Sequence, residues 1–386
     1  MRTEVGIVGG SAAGLFTAYL LGRAGRRVCV IEGGEDLDSR PRTLIVTSRM
    51  REILGHLGKN AQVNEIRRFE LFTDGRAARI ALRQPDLVIE RTKLIRELAA
   101  AAQESGAELL LGRQFISLEH GRQGLALQVE GNRGATDEEI LASTVVGADG
   151  ACSRVAQVAG WPAQSTVPLV QAIVNLPQGM PADTTRVWFI PEETPYFYWL
   201  IPDSPTRGVM GLIGEEGPAT RGALDRFLAR QRLDPLEYQA ARIPVYSKWI
   251  PVRRHFEGGD VYLVGDAAGH VKVTTVGGIV TGLRGAWGVA EAILKGRPGR
   301  RLRELRRELD LHLLIRKAIH NFKQAHYSHL VDLLNARARQ DLEATTRDEP
   351  GQVLWRLCLH QPRLLLFGLR AFLSGGSFPS PRQDLP

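Results

Sequence analysis

The sequence has 386 residues, of which 44% are hydrophobic and 24% are charged. This length gives about two or three domains of about 150 residues, and the composition is that of a globular chain rather than a disordered or fibrous one. No uninterrupted apolar stretch reaches the roughly 18 residues that a transmembrane helix needs. The net charge of +8 favours phosphates, anionic lipid or acidic proteins as partners.

The cysteines and the N-terminus indicate the compartment. Cys29, Cys152 and Cys358 are isolated, so we predict neither a disulfide framework nor a metal site. Glu4 interrupts the first apolar run, and the glycine-rich turn that follows belongs to a fold, so we expect no signal peptide. We therefore expect a reducing, cytoplasmic environment.

The first 34 residues predict a strand, a tight turn, a helix and a second strand. In EVGIVGGSAAGLFTAYLLGRAGRRVCVIEGG (residues 4–34), Val5 to Val8 is the first buried strand and Val28 to Ile31 the second. Gly9 makes the turn and Gly14 lets the helix pack closely on the strand. The middle glycine of the usual G-x-G-x-x-G pattern is replaced by Ser11, which is small enough for a pyrophosphate to approach.

This unit predicts a dinucleotide site. Ser11, Ala12 and Ala13 stand at the start of the helix, where free N–H groups bind a pyrophosphate. Glu32 ends the second strand, where a carboxylate accepts hydrogen bonds from a ribose.

Two later segments each place an acid after an apolar strand. TVVGADGACSRVAQVAG (144–160) carries Asp149, and GDAAGHVKVTTVGGI (265–279) carries Asp266. With the N-terminal unit, these three motifs in order resemble the flavoproteins of the para-hydroxybenzoate hydroxylase fold, over residues 1 to about 300. The resemblance implies FAD, with Asp149 near the pyrophosphate and Asp266 on the ribitol. Arg91 then occupies the position of an arginine that lies along the FAD.

The third motif resembles that of the geranylgeranyl reductase family, GDAAG followed by T-GGGI. Thr275, Gly277, Gly278 and Ile279 match, whereas Val273 stands where proline is usual and Val276 where the first of three glycines is usual. The resemblance implies that the backbone at 277 and 278 passes against the isoalloxazine ring. The amides at the start of the following helix then stabilise negative charge there.

The stretch TPYFYWLIP (194–202) is similar to the Y-x-W-x-F-P cavity motif of the same family. As a strand it places Phe197, Trp199 and Ile201 on one face, a wall that suits a long hydrocarbon. The stretch also fits the W-x-W-x-I-P motif of flavin-dependent halogenases. Those enzymes use a lysine that is absent between Asn60 and Arg91, which counts against halogenation and leaves hydroxylation open.

Some reductases of the family carry a cysteine-glycine motif after the second strand. Here that segment, RPRTLIVTSRM (40–50), offers Arg42 for the cofactor but has no cysteine. Candidates for the proton donor are therefore Tyr198, His270 or water, and His270 is expected to titrate near neutral pH.

The last third of the chain is predicted to be helical. Within 353–374, Arg356, Arg363 and Arg370 recur every seven residues among leucine, tryptophan and phenylalanine. This pattern fits helices on a membrane surface, helices that cap a lipid tunnel, or helices packed on the protein's own core.

The sequence thus predicts an α/β fold in which a Rossmann-type FAD-binding domain is interleaved with an antiparallel β-sheet substrate domain, plus C-terminal helices. The units are 1–164 (FAD-binding, with inserted segments), 165–255 (β-sheet substrate domain), 256–298 (FAD-binding, returning segment) and 299–386 (C-terminal helical region).

The predicted function is FAD-dependent reduction of carbon-carbon double bonds in an isoprenoid lipid. The alternatives are a flavin monooxygenase or halogenase-like enzyme on an aromatic or polyene substrate, and a non-catalytic lipid-binding flavoprotein. The electron donor is NAD(P)H or ferredoxin, and an acidic donor protein fits the basic charge. We expect no nucleic-acid partner and a cytoplasmic location, with peripheral contact at the inner membrane face as an option.

Overall fold

The computed structural model describes residues 1–37, 42–131 and 138–334, together with positions 340, 343, 348 and 351. Its strands, in chain order, are β1 Val5–Val8, β2 Val28–Glu32, β3 Thr43–Val46, β4 Gln62–Thr73, β5 Arg76–Glu90, β6 Glu108–Leu111, β7 Arg113–Gly121, β8 Gly124–Gly131, β9 Glu138–Ala142, β10 Thr144–Gly147, β11 Thr166–Asn175, β12 Thr184–Trp188, β13 Tyr198–Pro202, β14 Arg207–Ile213, β15 Pro235–Pro244, β16 Arg253–Phe256 and β17 Gly259–Leu263. Its helices are α1 Ala12–Arg23, α2 Arg49–Leu54, α3 Arg91–Glu104, α4 Arg154–Val158, α5 Gly217–Gln231, α6 Ile279–Lys295, α7 Arg300–Ile319 and α8 Gln324–Leu333.

The first sheet has six strands in the order β16-β17-β10-β1-β2-β6. Five of them run parallel, and β16 is antiparallel to β17. Because α1 and other helices cover this sheet, all four residues of β1 are buried. The carboxyl ends of β1, β10 and β17 lie side by side, so the three motifs that follow these strands meet at one edge of the sheet.

The second sheet has eight strands in the order β15-β11-β14-β13-β12-β4-β5-β3. Most of its pairs are antiparallel, and β12 pairs parallel with β4. Helix α5 covers one face, where Leu224 and Phe227 join Tyr198 and Leu200 in an apolar cluster. The opposite face looks toward the first sheet. The predicted fold class, a Rossmann-type domain interleaved with a largely antiparallel sheet, is confirmed.

A small third sheet, β7-β8-β9, extends the first. Leu125, Leu127 and Val129 of β8 are buried in the same core as β1 and α1. This sheet therefore belongs to the nucleotide-binding half and does not reach the second sheet's open face.

The C-terminal third begins with two helices, α7 and α8. Leu302 of α7 lies so close to α6 that a Cβ at Gly288 would be 2.7 Å from Leu302 Cγ, so this helix contact requires glycine. The amphipathic segment predicted at 353–374 lies outside the described residues. Among the helices that are described, none is long and apolar enough to cross a membrane.

Candidate functional site

A cavity of about 470 Å³ lies between the motif edge of the first sheet and the open face of the second. One side is formed by the glycine motifs and the other by large side chains of the eight-stranded sheet. The motif side includes Ser11, Ala12, Ala13, Arg42, Arg91, Gly150, Asp266, Lys272, Gly277, Gly278 and Ile279. The sheet side includes Phe69, Leu71, Leu169, Gln171, Thr185, Val187, Phe197, Trp199, Ile201 and Ile213.

The turn between β1 and α1 is crowded in the way that the sequence predicts. Gly9 has φ +108°, and a Cβ there would lie 2.5 Å from the Ala148 carbonyl oxygen. A Cβ at Gly14 would lie 2.3 Å from the Gly9 carbonyl oxygen, so both positions exclude a side chain. Ser11 is the N-cap of α1, because its hydroxyl accepts a hydrogen bond from the Gly14 N–H. The other first-turn N–H groups have no partner within the helix and are available to an anion.

Glu32 lies at the carboxyl end of β2, beside this turn. Its carboxylate accepts the Gly10 N–H at 2.6 Å and the Gly34 N–H at 2.9 Å. These two backbone bonds fix the side chain and leave lone pairs for a ribose hydroxyl. The arrangement fits the predicted role of Glu32 in binding the adenosine part of a dinucleotide.

The second motif approaches the cavity through its backbone rather than through its acid. The Asp149 carboxylate accepts bonds from the Ser153 hydroxyl at 2.6 Å and the Val155 N–H at 3.0 Å, at the start of α4. Burial raises the pKa of this carboxyl, which those hydrogen bonds oppose. Ala148 and Gly150 line the cavity on either side of it. Asp149 therefore shapes the turn, and a direct contact between its side chain and FAD is not supported.

Asp266, Arg42 and Arg91, three of the predicted cofactor contacts, lie close enough together for their charges to shift pKa values within the group. Burial raises the pKa of the Asp266 carboxyl, and the positive charges of Arg42 and Arg91 oppose that rise. Burial and the nearby Arg91 lower the pKa of Arg42 to about 10. The Arg42 Nε is buried and has no hydrogen-bond partner among the described residues. A buried, unsatisfied guanidinium nitrogen in a cavity wall indicates a ligand acceptor.

The loop before α6 presents backbone to the cavity. A Cβ at Gly278 would lie 3.0 Å from Asp266 Oδ1, so this position is crowded. At Gly277 the nearest atoms to such a Cβ are 3.5 Å or more away, which leaves room on the cavity side. Val276 has φ +51°, a conformation that is rare for a β-branched residue. The loop thus keeps the shape of a glycine turn even where valine replaces the family's first glycine.

The predicted substrate wall faces the cavity. Trp199 and Ile201 lie on β13, Phe197 immediately precedes it, and all three side chains line the cavity. The rings of Phe197 and Trp199 meet edge to face at 6.1 Å. Trp199 is 7% exposed and packs over the strand beside it.

Tyr198 lies on the other face of the same strand, away from the cavity. Its ring stacks on Phe227 at 4.0 Å, and its hydroxyl donates to Glu193 at 2.5 Å. Burial, followed by the Glu193 carboxylate, raises the pKa of this phenol. Tyr198, a candidate proton donor from the sequence, therefore does not face a substrate in the cavity.

We refer to residues 265–278, which precede α6, as the flavin loop. The side chain of His270 is buried behind this loop rather than in the cavity. Its ring stacks on Trp249 at 5.4 Å and lies against Gly285. Burial, with a smaller contribution from Arg284, lowers the pKa of His270 to about 3. The prediction that this histidine titrates near neutral pH is wrong, and it is not a proton donor to the cavity.

A polar group that the sequence analysis did not identify lies at the cavity wall. Lys272 is 6% exposed and lines the cavity, and its ammonium binds the Asp348 carboxylate. Asp348 also accepts a hydrogen bond from the Thr47 hydroxyl. Lys272 was visible inside the flavin loop, but Asp348 is 76 residues further along the chain, and no local pattern connects them.

The comparisons with known proteins agree with this geometry. A family model described as an FAD binding domain matches residues 2–305. A curated protein, digeranylgeranylglycerophospholipid reductase 2 of Methanothermobacter thermautotrophicus, is 26% identical over 315 residues, covering 72% of this chain and 74% of that protein. Another from Methanopyrus kandleri, of the same name, is 27% identical over 306 residues, with coverage of 73% and 74%.

Among solved structures, a geranylgeranyl bacteriochlorophyll reductase-like protein from Thermoplasma acidophilum matches with a TM-score of 0.79 and 18% identity, over 96% of this chain and 99% of that one. The flavin-dependent monooxygenase PieE, in complex with FAD and substrate, matches with a TM-score of 0.61 and 19% identity, over 97% and 71%. At these identities the two structures show a shared fold.

Fold and site together define an FAD-dependent oxidoreductase. The chain belongs to the FAD binding domain family, and the resemblance to the geranylgeranyl reductases is confirmed. The residues present also fit the cofactor. The turn at 9–14 excludes side chains, the start of α1 offers N–H groups, and Arg42 holds an unsatisfied Nε beside Asp266.

Proposed function

We propose that this protein reduces carbon-carbon double bonds of an isoprenoid chain. The observation that carries the proposal is the continuous apolar face opposite the flavin loop, where Trp199, Val187 and Leu71 follow one another across three strands. A long hydrocarbon is recognised through buried area, which this face provides. The names of the curated relatives, which are reductases of geranylgeranyl-bearing lipids, support the same substrate class.

FAD supplies the two-electron chemistry of this reaction when it is bound. The chain's own groups hold and orient the reactants. In this proposal Ser11 and the start of α1 hold the pyrophosphate, Glu32 holds a ribose, and Asp266 with Arg42 holds the middle of the cofactor. The open backbone at Gly277 allows the cofactor and the substrate to approach each other closely. The wall at Trp199 keeps water out and holds the alkene in position.

A proton must reach the second alkene carbon, and Lys272 is placed to supply it. With Tyr198 and His270 outside the cavity, Lys272 is the nitrogen donor in its wall that the Asp348 carboxylate holds in position. We assign the proton to Lys272 Nζ, with Asp348 as the group that positions it. Water is the competing proton source in the tests below.

Two other activities are compatible with this fold. A flavin monooxygenase shares it, as PieE illustrates, and a lipid-binding flavoprotein without catalysis would show the same cofactor site. On the sheet side the wall of Phe197, Trp199 and Ile201 is apolar, so it offers buried area to a hydrocarbon rather than polar contacts to an aromatic substrate. This feature favours the reductase over the monooxygenase.

Anaerobic turnover tests the proposal directly. Dithionite-reduced enzyme is incubated without oxygen with a geranylgeranyl lipid, and the product is analysed by mass spectrometry. We expect a gain of about two mass units for each reduced double bond, as net addition of two hydrogens requires. Labelled oxygen in the product, with no turnover under anaerobic conditions, would favour the monooxygenase. Binding of the lipid by the flavin-loaded protein without any product would favour the non-catalytic flavoprotein.

The electron donor is proposed to be NAD(P)H or a ferredoxin-like acidic protein. Helix α7 carries exposed arginines at 301, 303, 306 and 307, which fit an acidic partner. If a protein is the donor, its reduction of the flavin slows steeply with ionic strength, whereas reduction by NAD(P)H depends on salt much less. Peripheral membrane contact through 353–374 remains a separate proposal, tested by co-sedimentation with anionic vesicles.

A further inference from the structure

The cavity face of the eight-stranded sheet is organised in rows across the strands. In one row Trp199 of β13 pairs with Val187 of β12, and Val187 pairs with Leu71 of β4. Phe197 lies two residues before Trp199. Phe189 lies two residues after Val187, and because these strands are antiparallel, both phenylalanines lie one row further in the same direction. Their rings meet edge to face at 6.1 Å and both line the cavity, so they form its end row, where β12 ends and β13 begins.

Helix α8 packs directly behind this end row. Tyr327 of α8 stacks on the Phe189 ring, with centroids 4.7 Å apart and planes 13° apart. Phe189 is half-buried and lines the cavity, whereas Tyr327 is buried and is not part of the described cavity lining. Phe322, which precedes α8, meets the Tyr327 ring edge to face at 5.4 Å. The Phe189 ring therefore separates the cavity from a packed aromatic cluster.

A buried arginine holds the segment that carries Phe197. Arg316 of α7 is 3% exposed, and its guanidinium lies over the Tyr196 ring at 4.0 Å. Its Nη1 donates to the Pro195 carbonyl oxygen at 2.9 Å. Burial lowers the pKa of this guanidinium, and the adjacent Tyr196 opposes that shift. Since these contacts join α7 to the two residues before Phe197, the C-terminal helices support both rings of the end row.

The end row lies in the path of a long apolar ligand. A hydrocarbon that is seated on the row of Trp199 and extends toward the ends of β12 and β13 meets Phe189. A ring with free space behind it can turn aside for a ligand, but the Phe189 ring has Tyr327 stacked behind it. Closely packed side chains resist such a displacement. The packing at this end therefore limits the length of chain that the cavity takes in.

We propose that Phe189, supported by Tyr327, is the end stop of the substrate cavity and sets how many isoprene units the cavity accepts. This inference rests on the proposed reductase function and specifies its substrate by chain length. Each isoprene unit that enters the cavity adds buried apolar area and tightens binding. A unit that would have to pass Phe189 stays outside and adds no such area, so affinity stops rising at that length.

A series of prenols of increasing length tests the end stop. All-trans prenols, from geraniol through farnesol and geranylgeraniol to longer homologues, are titrated into FAD-loaded protein in one detergent, and binding is followed by the change in flavin absorbance. In the wild-type protein, affinity is expected to rise at least about ten-fold with each added unit and then to level off. In Phe189→Ala it should level off one unit later. The milder Phe189→Leu should bind the first prenol beyond the wild-type limit about three-fold more tightly than the wild type does.

The matched control is Phe72→Ala. Phe72 of β4 stacks on Trp188 at 5.4 Å, and Trp188 packs on Phe227 of α5, so this aromatic pair lies on the opposite face of the same sheet. The control variant is expected to keep the wild-type limit. FAD content and unfolding curves of every variant confirm folding.

Three results overturn the end stop: affinity that rises through the whole series in the wild type, the same limit in the wild type and both Phe189 variants, or an equal shift in Phe72→Ala. Each of them leaves the reductase proposal intact, because that proposal is judged by anaerobic product formation from a geranylgeranyl lipid. If no prenol perturbs the flavin, the end stop fails, and the same product assay decides whether the proposed function fails with it.

Discussion

The indole of Trp199 lies directly over the backbone of Gly211 on the neighbouring strand. A Cβ at position 211 would lie 2.6 Å from Trp199 Cζ2 and 2.7 Å from its Cε2. The two residues pair across β13 and β14, so the missing side chain of one makes room for the ring of the other. The position of the substrate wall is therefore fixed by a glycine outside every motif discussed above.

Gly211→Ala is expected to displace the indole and narrow the cavity. The overlap costs about 1–3 kcal/mol of folding stability, and lipid binding should weaken while FAD content stays normal. Gly222→Ala is the control, because that glycine lies in α5 and its Cβ would approach only the flexible end of Arg226. Chemical unfolding and lipid titration of both variants check the prediction. Equal behaviour of the two would show that the Trp199 ring is not held by Gly211.

Glu32→Ala is expected to weaken FAD binding. The substitution removes the carboxylate proposed to bind the ribose and leaves the Gly10 and Gly34 N–H groups without their acceptor. Because the lost acceptor is charged, we expect the binding free energy of FAD to weaken by about 1–3 kcal/mol. Titration of the apoprotein with FAD measures this change. Glu108→Ala, an exposed change on β6, is the control. Unchanged FAD affinity in Glu32→Ala would contradict the assigned role.

Val276→Gly is expected to cost much less stability than Val273→Gly. Both valines are buried, but only Val276 has a positive φ, where the glycine relieves strain of about 1–3 kcal/mol. At Val273 the same change removes packing and adds backbone freedom, at a cost of about 2–4 kcal/mol. Denaturant unfolding of the two single variants measures the difference. Equal losses would show that the loop does not strain Val276.

Stability is expected to fall as the pH is lowered below about 6.5. Burial lowers the pKa of both His270 and His312 to about 3 in the fold, whereas an unfolded histidine titrates near about 6.5. The unfolded chain therefore binds more protons between these values. In this window each histidine lowers the free energy of unfolding by up to about 1.4 kcal/mol for each unit that the pH falls.

His270→Phe is expected to reduce the pH slope by about one proton, as read from unfolding curves between pH 7 and pH 5. His56→Phe, at an exposed position, is the matched control. A slope in His270→Phe equal to that of the wild type would mean that His270 is protonated within the folded protein.

Lys272→Met is expected to lower turnover and to destabilise the fold by about 3–5 kcal/mol, because it leaves the Asp348 carboxylate buried without its partner. The double variant Lys272→Met with Asp348→Asn should recover much of the stability but not the turnover. Unfolding curves and product formation in the same preparations separate the two effects. Full turnover in the stable double variant would assign the proton to water instead.

The sequence predicts the parts of the site that are set by local geometry. The crowded turn at Gly9 and Gly14 follows from a strand–turn–helix spacing, and the alternation of a strand places Trp199 on one face and Tyr198 on the other. The alternation alone cannot tell which face lines the cavity. The resemblance to a cavity motif predicts the cavity face for Trp199, whereas the burial of Tyr198 depends on helix α5, which packs on the other face of the sheet.

The parts that were missed depend on distant segments. His270 follows a glycine in a loop, where the sequence predicts titration near neutral pH, but Trp249 and Gly285 enclose its ring. Lys272 becomes a cavity group only because Asp348 and Thr47 reach it from elsewhere in the chain. Burial and charge pairing of this kind are properties of the tertiary structure, and no periodicity in the sequence encodes them.

The interleaving of the two large sheets also has a consequence for how the chain folds. The first sheet takes strands from 5–32, 108–111, 144–147 and 253–263, and the second takes strands from 43–90, 166–213 and 235–244. Neither sheet can be completed from one continuous stretch, so contacts between distant positions dominate, and such topologies fold slowly. During synthesis the first sheet lacks its β17 until residue 263 has emerged. The nascent chain therefore has to hold unpaired strand edges through most of its translation, a stage at which aggregation competes with folding.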